Sequence, residues 1–412
     1  MQATRPNRIS QGLDYYKPTM SQLAYIKHPD AEVTFELKNR GANRLLDYVP
    51  ITDLAARLAI YQSGFTQAEV DFLATHERRD GQPLFRPGFL EYLLANDLPP
   101  VDIHTAGDRD DLQITATGSW PMVTFWETVV MSELNELYFE NYVKANGLDI
   151  DQLYAEGDRR LSEKIEILKH RPDIKIAEFG TRRRFSYAWQ KHVLERLVRE
   201  CPDNLIGTSN LALAEEFNLM PIGTFAHELP MVYAAYEDMA GDNPLDGQAK
   251  VLKDWRELYD NNLSTALTDT FGSDLFFAEF DRDLALVWQG LRHDSGDPFK
   301  FGEQAIALYQ GYGIDPREKT IVFSDGLDID MIVRLADHFK DRIKVVFGWG
   351  TDLTNDLGLP ANNIVMKAVR LFWAGTVKLS DALGKHTGFA ADVARYQRLK
   401  QTILHQLEVV TV

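Results

Sequence analysis

Hydrophobic and polar positions alternate along Glu32–Leu37 (EVTFEL) as in a strand with one buried face, whereas Ile51–Gln62 repeats its apolar residues at helical spacing. Met122–Tyr142 is a long apolar-rich stretch with acidic residues spaced through it, which predicts a largely buried helix. From about residue 174 the pattern changes. Short β-branched or apolar runs recur at Ile174–Phe179, Asn204–Gly207, Pro221–Phe225, Leu263–Thr268, Val287–Leu291, Thr320–Phe323, Ile343–Phe347 and Ile364–Val369, and most are followed by a helical stretch. Their spacing, roughly 20 to 40 residues, is that of a strand plus its crossover helix. Eight such units in series predict an irregular, TIM-like α/β barrel, with a doubly wound open sheet as the alternative. Residues 136–369 are assigned to the barrel, and 1–135 with 370–412 to a second, flanking α/β domain, where KAVRLFWAGTVKLSDALGK reads as a strand pair. Asp238–Asp246 (DMAGDNPLD) reads as a polar loop, either a lid or a surface excursion.

Nearly every predicted strand ends in a polar cluster: FGTRRRFS, GTSN, GTFAHE, TDTF, RHDSGDP, SDGLDID and FGWGTDLTND. Gly, Ser and Asp at such ends make turns and helix caps, which accounts for one or two clusters. It does not account for Arg182, Arg183, Arg184, His227, Arg292 and His293 arriving at the same strand ends. In an α/β barrel those ends share one face, and that face carries the chemistry.

The chain has 412 residues, 45% hydrophobic and 25% charged, which suits a folded chain with one barrel and a flanking layer. Its formal net charge of −17 repels nucleic acid and anionic membrane surfaces, so neither is an expected partner. A single cysteine, Cys201, forbids an intrachain disulfide and fits a reducing compartment. The opening MQATRPNRISQG has no apolar run of leader length, and no stretch approaches the ~20 apolar residues of a membrane span, so a cytoplasmic location is expected.

Against that acidic background the basic and glycine-rich clusters carry weight. Three arginines follow Thr181 at the start of a helix predicted over 182–200, where the macrodipole disfavours cations unless an anion is bound. The alternative is pairing with acidic neighbours. Gly348-Trp349-Gly350-Thr351 is suited to a phosphate, because glycines let the backbone approach and successive N–H groups form an anion nest. Asp294, Asp297, Asp325 and Asp328 are candidate partners of a Mg²⁺-pyrophosphate, and Asp269 and Asp325 of ribose hydroxyls; Asp297-Pro298 reads better as a helix cap. His227, just past a strand end and beside Glu228, is a candidate nucleophile or general base, with His293 as its competitor.

Taken together, the strings DYYKPTM, FGTRRRFS, GTSN, PIGTFAHE, ALTDTF, GLRHDSGDP, VFSDGLDID, FGWGTDLTND and KLSD followed by GK resemble the nicotinate phosphoribosyltransferase family, in family order over residues 14–385. The resemblance implies transfer of phosphoribose from phosphoribosyl pyrophosphate to nicotinate, giving nicotinate mononucleotide and pyrophosphate, the entry step of NAD salvage from nicotinate. It also implies Mg²⁺, ATP as co-substrate, a histidine matching His227 that ATP phosphorylates, and a homodimer with the active site at the interface. Phe179 resembles the aromatic stacked on the pyridine ring, and Tyr16 the tyrosine covering its other face from the neighbouring subunit. Arg182 and Arg292 resemble the basic residues near the carboxylate and phosphates. Asp294 and Asp325 resemble the acids near ribose and metal, and Asp269 and Ser324 are counted with the substrate-binding set. Gly348, Gly350 and Thr351 resemble the 5′-phosphate loop, and Lys17 a phosphate contact across the interface. Asn210 stands where the related nicotinamide enzyme has an acid, which favours nicotinate. The nicotinamide and quinolinate enzymes are the nearest alternatives, a non-catalytic sensor of phosphorylated ribose the more distant one.

Overall fold

The computed structural model describes residues 8–106, 111–382 and 384–410. The first seven residues, part of the N-terminal stretch read above as lacking an apolar run, lie outside these, as do Leu383 and residues 411–412 of the segment assigned to the flanking domain. The chain separates into two compact units. One comprises 1–223, 327–329 and 348–367; the other comprises 224–326, 330–347 and 368–412.

In the first unit the alternating EVTFEL segment lies in β1 (Glu32–Asn39), which buries Val33, Phe35 and Leu37 on one face. β2 (Val101–Ala106) and β3 (Asp111–Ser119) form an antiparallel pair, with Ile103 opposite Ile114. β3 also pairs antiparallel with β1, with Ala116 opposite Phe35. The predicted helix over 122–142 appears as Trp120–Val123 and Trp126–Ala145. The longer one is buried along almost its whole length, so Glu127, Glu133 and Glu136 are taken out of water and need partners. β4 (Ile176–Glu178) and β5 (Leu205–Thr208) are parallel, with Glu178 opposite Thr208. Gly207, at φ +153°, has no alternative: a Cβ there would lie 2.1 Å from the Met220 carbonyl oxygen.

The three arginines do not open a helix. Thr181–Arg183 form one 3-10 turn, and the helix begins at Tyr187 because Ser186 caps it, accepting from the Trp189 N–H at 3.1 Å. The cap is the stronger start signal, and it leaves the cations outside the dipole that disfavours them.

The second unit contains β6 (Thr265–Leu267), β7 (Gly290–His293), β8 (Thr320–Phe323) and the start of β9 (Lys344–Trp349), all parallel and paired in that order. Leu291, Ile321 and Val345 share one register row across it. The α/β class, with parallel strands and a second, antiparallel set, is as expected, but six of the eight predicted barrel strands form. Pro221 has no N–H to give a ladder, and its run makes only an isolated parallel bridge to Thr208. Ile364–Val369 becomes β10 (Ile364–Leu371), a neighbour of β1 that pairs antiparallel with β11 (Ala374–Gly375). The helix Glu228–Ala240 takes up the start of the predicted loop Asp238–Asp246, and Asp238 is ion-paired with Arg395.

A buried cluster of Ala234, Leu245, Phe271, Leu275, Val377, Leu379, Val393 and Tyr396 anchors the segment after β11. Val377 and Leu379 both face this core, so the residue between them, Lys378, points the other way.

Candidate active site

Three strand ends of the second unit meet around His227, which is 3% exposed. Its Nδ1 lies 3.1 Å from Thr270 Oγ1. Its Nε2 lies 2.8 Å from Lys378 Nζ, 2.9 Å from Asp294 Oδ2 and 3.6 Å from Asp269 Oδ1. Burial, helped by Lys378 and opposed by Asp269 and Asp294, pushes the imidazole down to about 4, so the ring is neutral near pH 7. A neutral ring carries one N–H. Nε2 therefore faces a donor, the ammonium, and an acceptor, the carboxylate, and can answer only one at a time. With the proton on Nδ1 and Thr270 accepting, Nε2 keeps its lone pair and takes the bond from Lys378.

The carboxylates are held just as firmly. Asp294 Oδ1 accepts from Arg292 Nη2 at 2.9 Å and from Ser324 Oγ at 2.8 Å. Burial works to raise this carboxyl, but Arg292, His227 and Lys378 outweigh it and hold Asp294 well below the usual carboxylate range. Arg292 Nε donates to Ser324 Oγ at 2.8 Å. Asp269 is fully buried; its Oδ2 lies 3.3 Å from Lys378 Nζ and accepts from Ser295 Oγ at 2.5 Å. Asp325 stands apart in its bonding, with both oxygens on Lys385 Nζ at 2.9 and 2.8 Å. His293, the competing histidine, is buried between Phe301 and Phe323, and among the described residues neither ring nitrogen has a hydrogen-bond partner. That environment suits a packing role.

The donor atoms of His227, Asp269 and Asp294 lie within 4.8 Å of one another, a spacing that can hold a metal ion. The fit to Mg²⁺ is nevertheless poor. Mg²⁺ prefers oxygen ligands and near-octahedral geometry. Here one donor is an imidazole, and the Lys378 ammonium already supplies the compensating positive charge. Asp294 and Asp325, the acids expected to bind metal, carry Arg292 and Lys385 as their counter-ions.

In the first unit a second cluster forms around Glu127, which is buried in the long helix. Lys17 Nζ is 2.6 Å from it, Arg182 3.5 Å and Lys367 3.8 Å. Burial works to raise this carboxyl, yet Lys17, Lys367 and Arg182 bring it down to about 2. Lys17 is itself fully buried and also bonds Thr124 Oγ1 at 3.1 Å. Arg182 reaches Asp14 at 3.3 Å and lies over the Tyr16 ring at 5.7 Å. Gly223 is needed beside the Tyr16 backbone, because a Cβ would come within 2.8 Å of the Tyr16 nitrogen. The Phe179 N–H donates to the Trp349 carbonyl at 2.8 Å, which sets Phe179 beside Gly348, Gly350 and Thr351. A Cβ on Gly350 would approach the Phe179 carbonyl oxygen to 3.2 Å, and one on Gly180 would meet Thr354 Oγ1 at 2.0 Å. Asn210 is buried and committed: its Oδ1 caps the helix Leu211–Phe217 by accepting from Leu213 N, and its Nδ2 donates to Gln11 O at 2.9 Å and Thr181 Oγ1 at 3.3 Å.

Residues 174–406 match the nicotinate phosphoribosyltransferase (NAPRTase) family, and residues 13–135 match the N-terminal domain of that family. The chain belongs to the nicotinate phosphoribosyltransferase family. It is similar to the crystal structure of nicotinate phosphoribosyltransferase from Vibrio cholerae, at 32% identity and a TM-score of 0.85 over 100% of this chain and 98% of that one. It is also similar to the nicotinate phosphoribosyltransferase from Porphyromonas gingivalis, at 29% identity and a TM-score of 0.85 over 96% of this chain and 99% of that one. No helix among the described residues is long and apolar enough to cross a membrane.

Within this family member the structure brings His227, Asp269, Arg292, Asp294 and Ser324 together in one unit, and Tyr16, Lys17, Phe179, Arg182, Asn210, Gly350 and Thr351 in the other. Sequence reasoning missed Lys378, Thr270, Ser295, Glu127 and Glu178. The first three lie inside the strings KLSD, TDTF and HDSG, which were noticed as strings without a role for these positions. Glu127 had one usable signal, a carboxylate in a helix predicted to be buried, which requires a cation nearby. Glu178 is fully buried and accepts from Thr208 Oγ1 at 2.5 Å, Gly180 N at 2.5 Å and Gln190 Nε2 at 3.0 Å, tying β4, β5 and the arginine turn together.

Proposed function

We propose that the chain joins nicotinate to phosphoribose from phosphoribosyl pyrophosphate, and that ATP is consumed through His227. The observation that carries the reading is the neutral, buried His227 with Nε2 held against Lys378. In the coupling step Lys378 shifts its hydrogen bond from Nε2 to the incoming phosphate, and the freed Nε2 lone pair attacks the terminal phosphorus of ATP. The N–P bond forms as the P–O bond to ADP breaks, and the electron pair leaves on ADP. Water later attacks the phosphorus, the N–P bond breaks, and phosphate and a restored imidazole result. Lys378 and Arg292 are cations suited to the added phosphoryl charge, and Thr270 suits the Nδ1 proton.

In the transfer step the pyridine nitrogen of nicotinate attacks the ribose carbon while the bond to pyrophosphate breaks. The pyridine is its own nucleophile, so the protein's task is alignment and charge. Phe179 and Tyr16 supply the aromatic faces, Arg182 a cation for the ring carboxylate, and Gly348, Gly350 and Thr351 the phosphate loop. Mg²⁺ enters with the phosphoribosyl pyrophosphate and ATP as part of the substrate. Asn210 belongs to the base-selecting turn through Thr181, and the subunit arrangement proposed is a homodimer.

The test is product formation followed by chromatography, with phosphoribosyl pyrophosphate, Mg²⁺ and either nicotinate or nicotinamide, with and without ATP. Nicotinate mononucleotide formed faster with ATP supports the whole reading. Product from nicotinamide alone overturns the base assignment, and product indifferent to ATP overturns the coupling.

A further inference from the structure

Ser295 is 1% exposed and its hydroxyl is saturated. It donates to Asp269 Oδ2 at 2.5 Å and stands within bonding distance of Ser380 Oγ at 3.0 Å and of the Asp381 N–H, which donates to it at 3.1 Å. One hydroxyl has one proton and two lone pairs, so these three contacts use all it has. They also join three separate parts of the chain: the turn after β7, the acid after β6, and the segment 378–381.

That segment is fastened along its length. Lys378 exchanges backbone hydrogen bonds with Thr387 in both directions at 2.9 Å, and the Leu379 N–H donates to the Thr270 carbonyl at 2.7 Å. Asp381 Oδ1 accepts from the Ser273 N–H at 2.8 Å. Gly296 leaves room for it, since a Cβ there would lie 3.1 Å from the Asp381 Cβ. Ser380 sits at φ +65°, a left-handed conformation that a non-glycine residue keeps only where its surroundings impose it. Every one of these restraints acts within three residues of Lys378, whose Nζ is the group that touches His227 and Asp269.

We propose that Ser295 is a positioning residue for the phosphate-accepting centre, orienting Asp269 and clamping residues 378–381 so that Lys378 stays on His227 Nε2. The proposal rests on the reading of His227 given above. Ser295 does not touch His227; it acts through Asp269 and Lys378. Loss of its hydroxyl leaves the buried Asp269 Oδ2 with Lys378 Nζ in place of a hydroxyl donor, and removes two contacts of the clamp. The cost falls on the ATP-dependent step, because Lys378 then no longer holds the ring with its proton on Nδ1, nor stands beside Nε2 ready to pass to the incoming phosphate.

A double-mutant cycle tests this, with Ser295→Ala, Asp269→Asn and the pair, reading the rate at which labelled terminal phosphate from ATP is retained on the protein. Ser295→Ala is expected to slow labelling by about tenfold or more in the parent and by less than about twofold on the Asp269→Asn background. Equal costs in both backgrounds make Ser295 a structural residue and overturn the proposal. Melting curves accompany each variant, and Ser295→Cys, which keeps the volume with a weaker donor, takes the place of alanine if that variant does not fold. ¹⁵N NMR of the His227 ring separates the two readings. If His227→Ala retains ATP stimulation, the phosphate-acceptor reading fails. If the Nε2 resonance is unmoved in Ser295→Ala, the positioning role fails, whatever His227 does.

Discussion

Replacing His227 by alanine is expected to abolish ATP stimulation of nicotinate mononucleotide synthesis, because its Nε2 is the ring nitrogen held within bonding distance of Lys378 and Asp294, whereas the neighbouring His293 is packed between phenylalanines. A variant whose synthesis still rises with ATP by the parent's factor would end that assignment. Glu178 gives a prediction in pH. Burial, with a further push from Asp14, raises its carboxyl to about 7 from an ordinary value of 4.5, against the pull of Thr208, Gly180 and Gln190. A raised carboxylate binds its proton more tightly in the folded state, so its contribution to stability is complete below about 4.5 and is lost as pH rises through about 7. Glu178→Gln should therefore flatten the fall of Tm across that window. A slope equal to the parent's assigns the dependence to Glu136 or Glu279, which burial also raises to about 7. His227, Asp269, Arg292 and Asp294 were legible in the sequence because each lies within three residues of the end of a hydrophobic run. Lys378 was not, since its partner His227 lies 151 residues away and no periodicity records such a pairing.

At the scale of elements, strand and helix identity followed local pattern, and the departures have local causes. Ser186 moved a helix start past the arginines, and Pro221 reduced an apolar run to a single bridge. The fate of Ile364–Val369 had no local sign, because an apolar run fits a parallel or an antiparallel sheet equally well. The contact between the helices Pro298–Gly311 and Ile329–Phe339 is close enough to make a prediction. A Cβ on Gly302 would fall 2.1 Å from Phe339 Cζ, and that ring also stacks on Phe323 at 5.6 Å. Gly302→Ala is expected to cost about 1–3 kcal/mol, read as a lower urea midpoint at unchanged slope. A variant as stable as the parent would mean that the helices separate more easily than their packing indicates.

At the scale of the whole molecule, each compact unit draws on three stretches of sequence, and the His227 centre collects its residues from 227 to 378. Synthesis on the ribosome runs from the N-terminus, so His227, Asp269 and Asp294 emerge well before Lys378 does. Until Lys378 arrives, the fully buried Asp269 lacks its cation and His227 its donor, and the second unit cannot close around them at low cost. The first unit waits as well, for residues 348–367. A nascent chain of this protein is therefore expected to remain protease-sensitive until late in translation, and to become resistant only after the segment carrying Lys378 has left the exit tunnel.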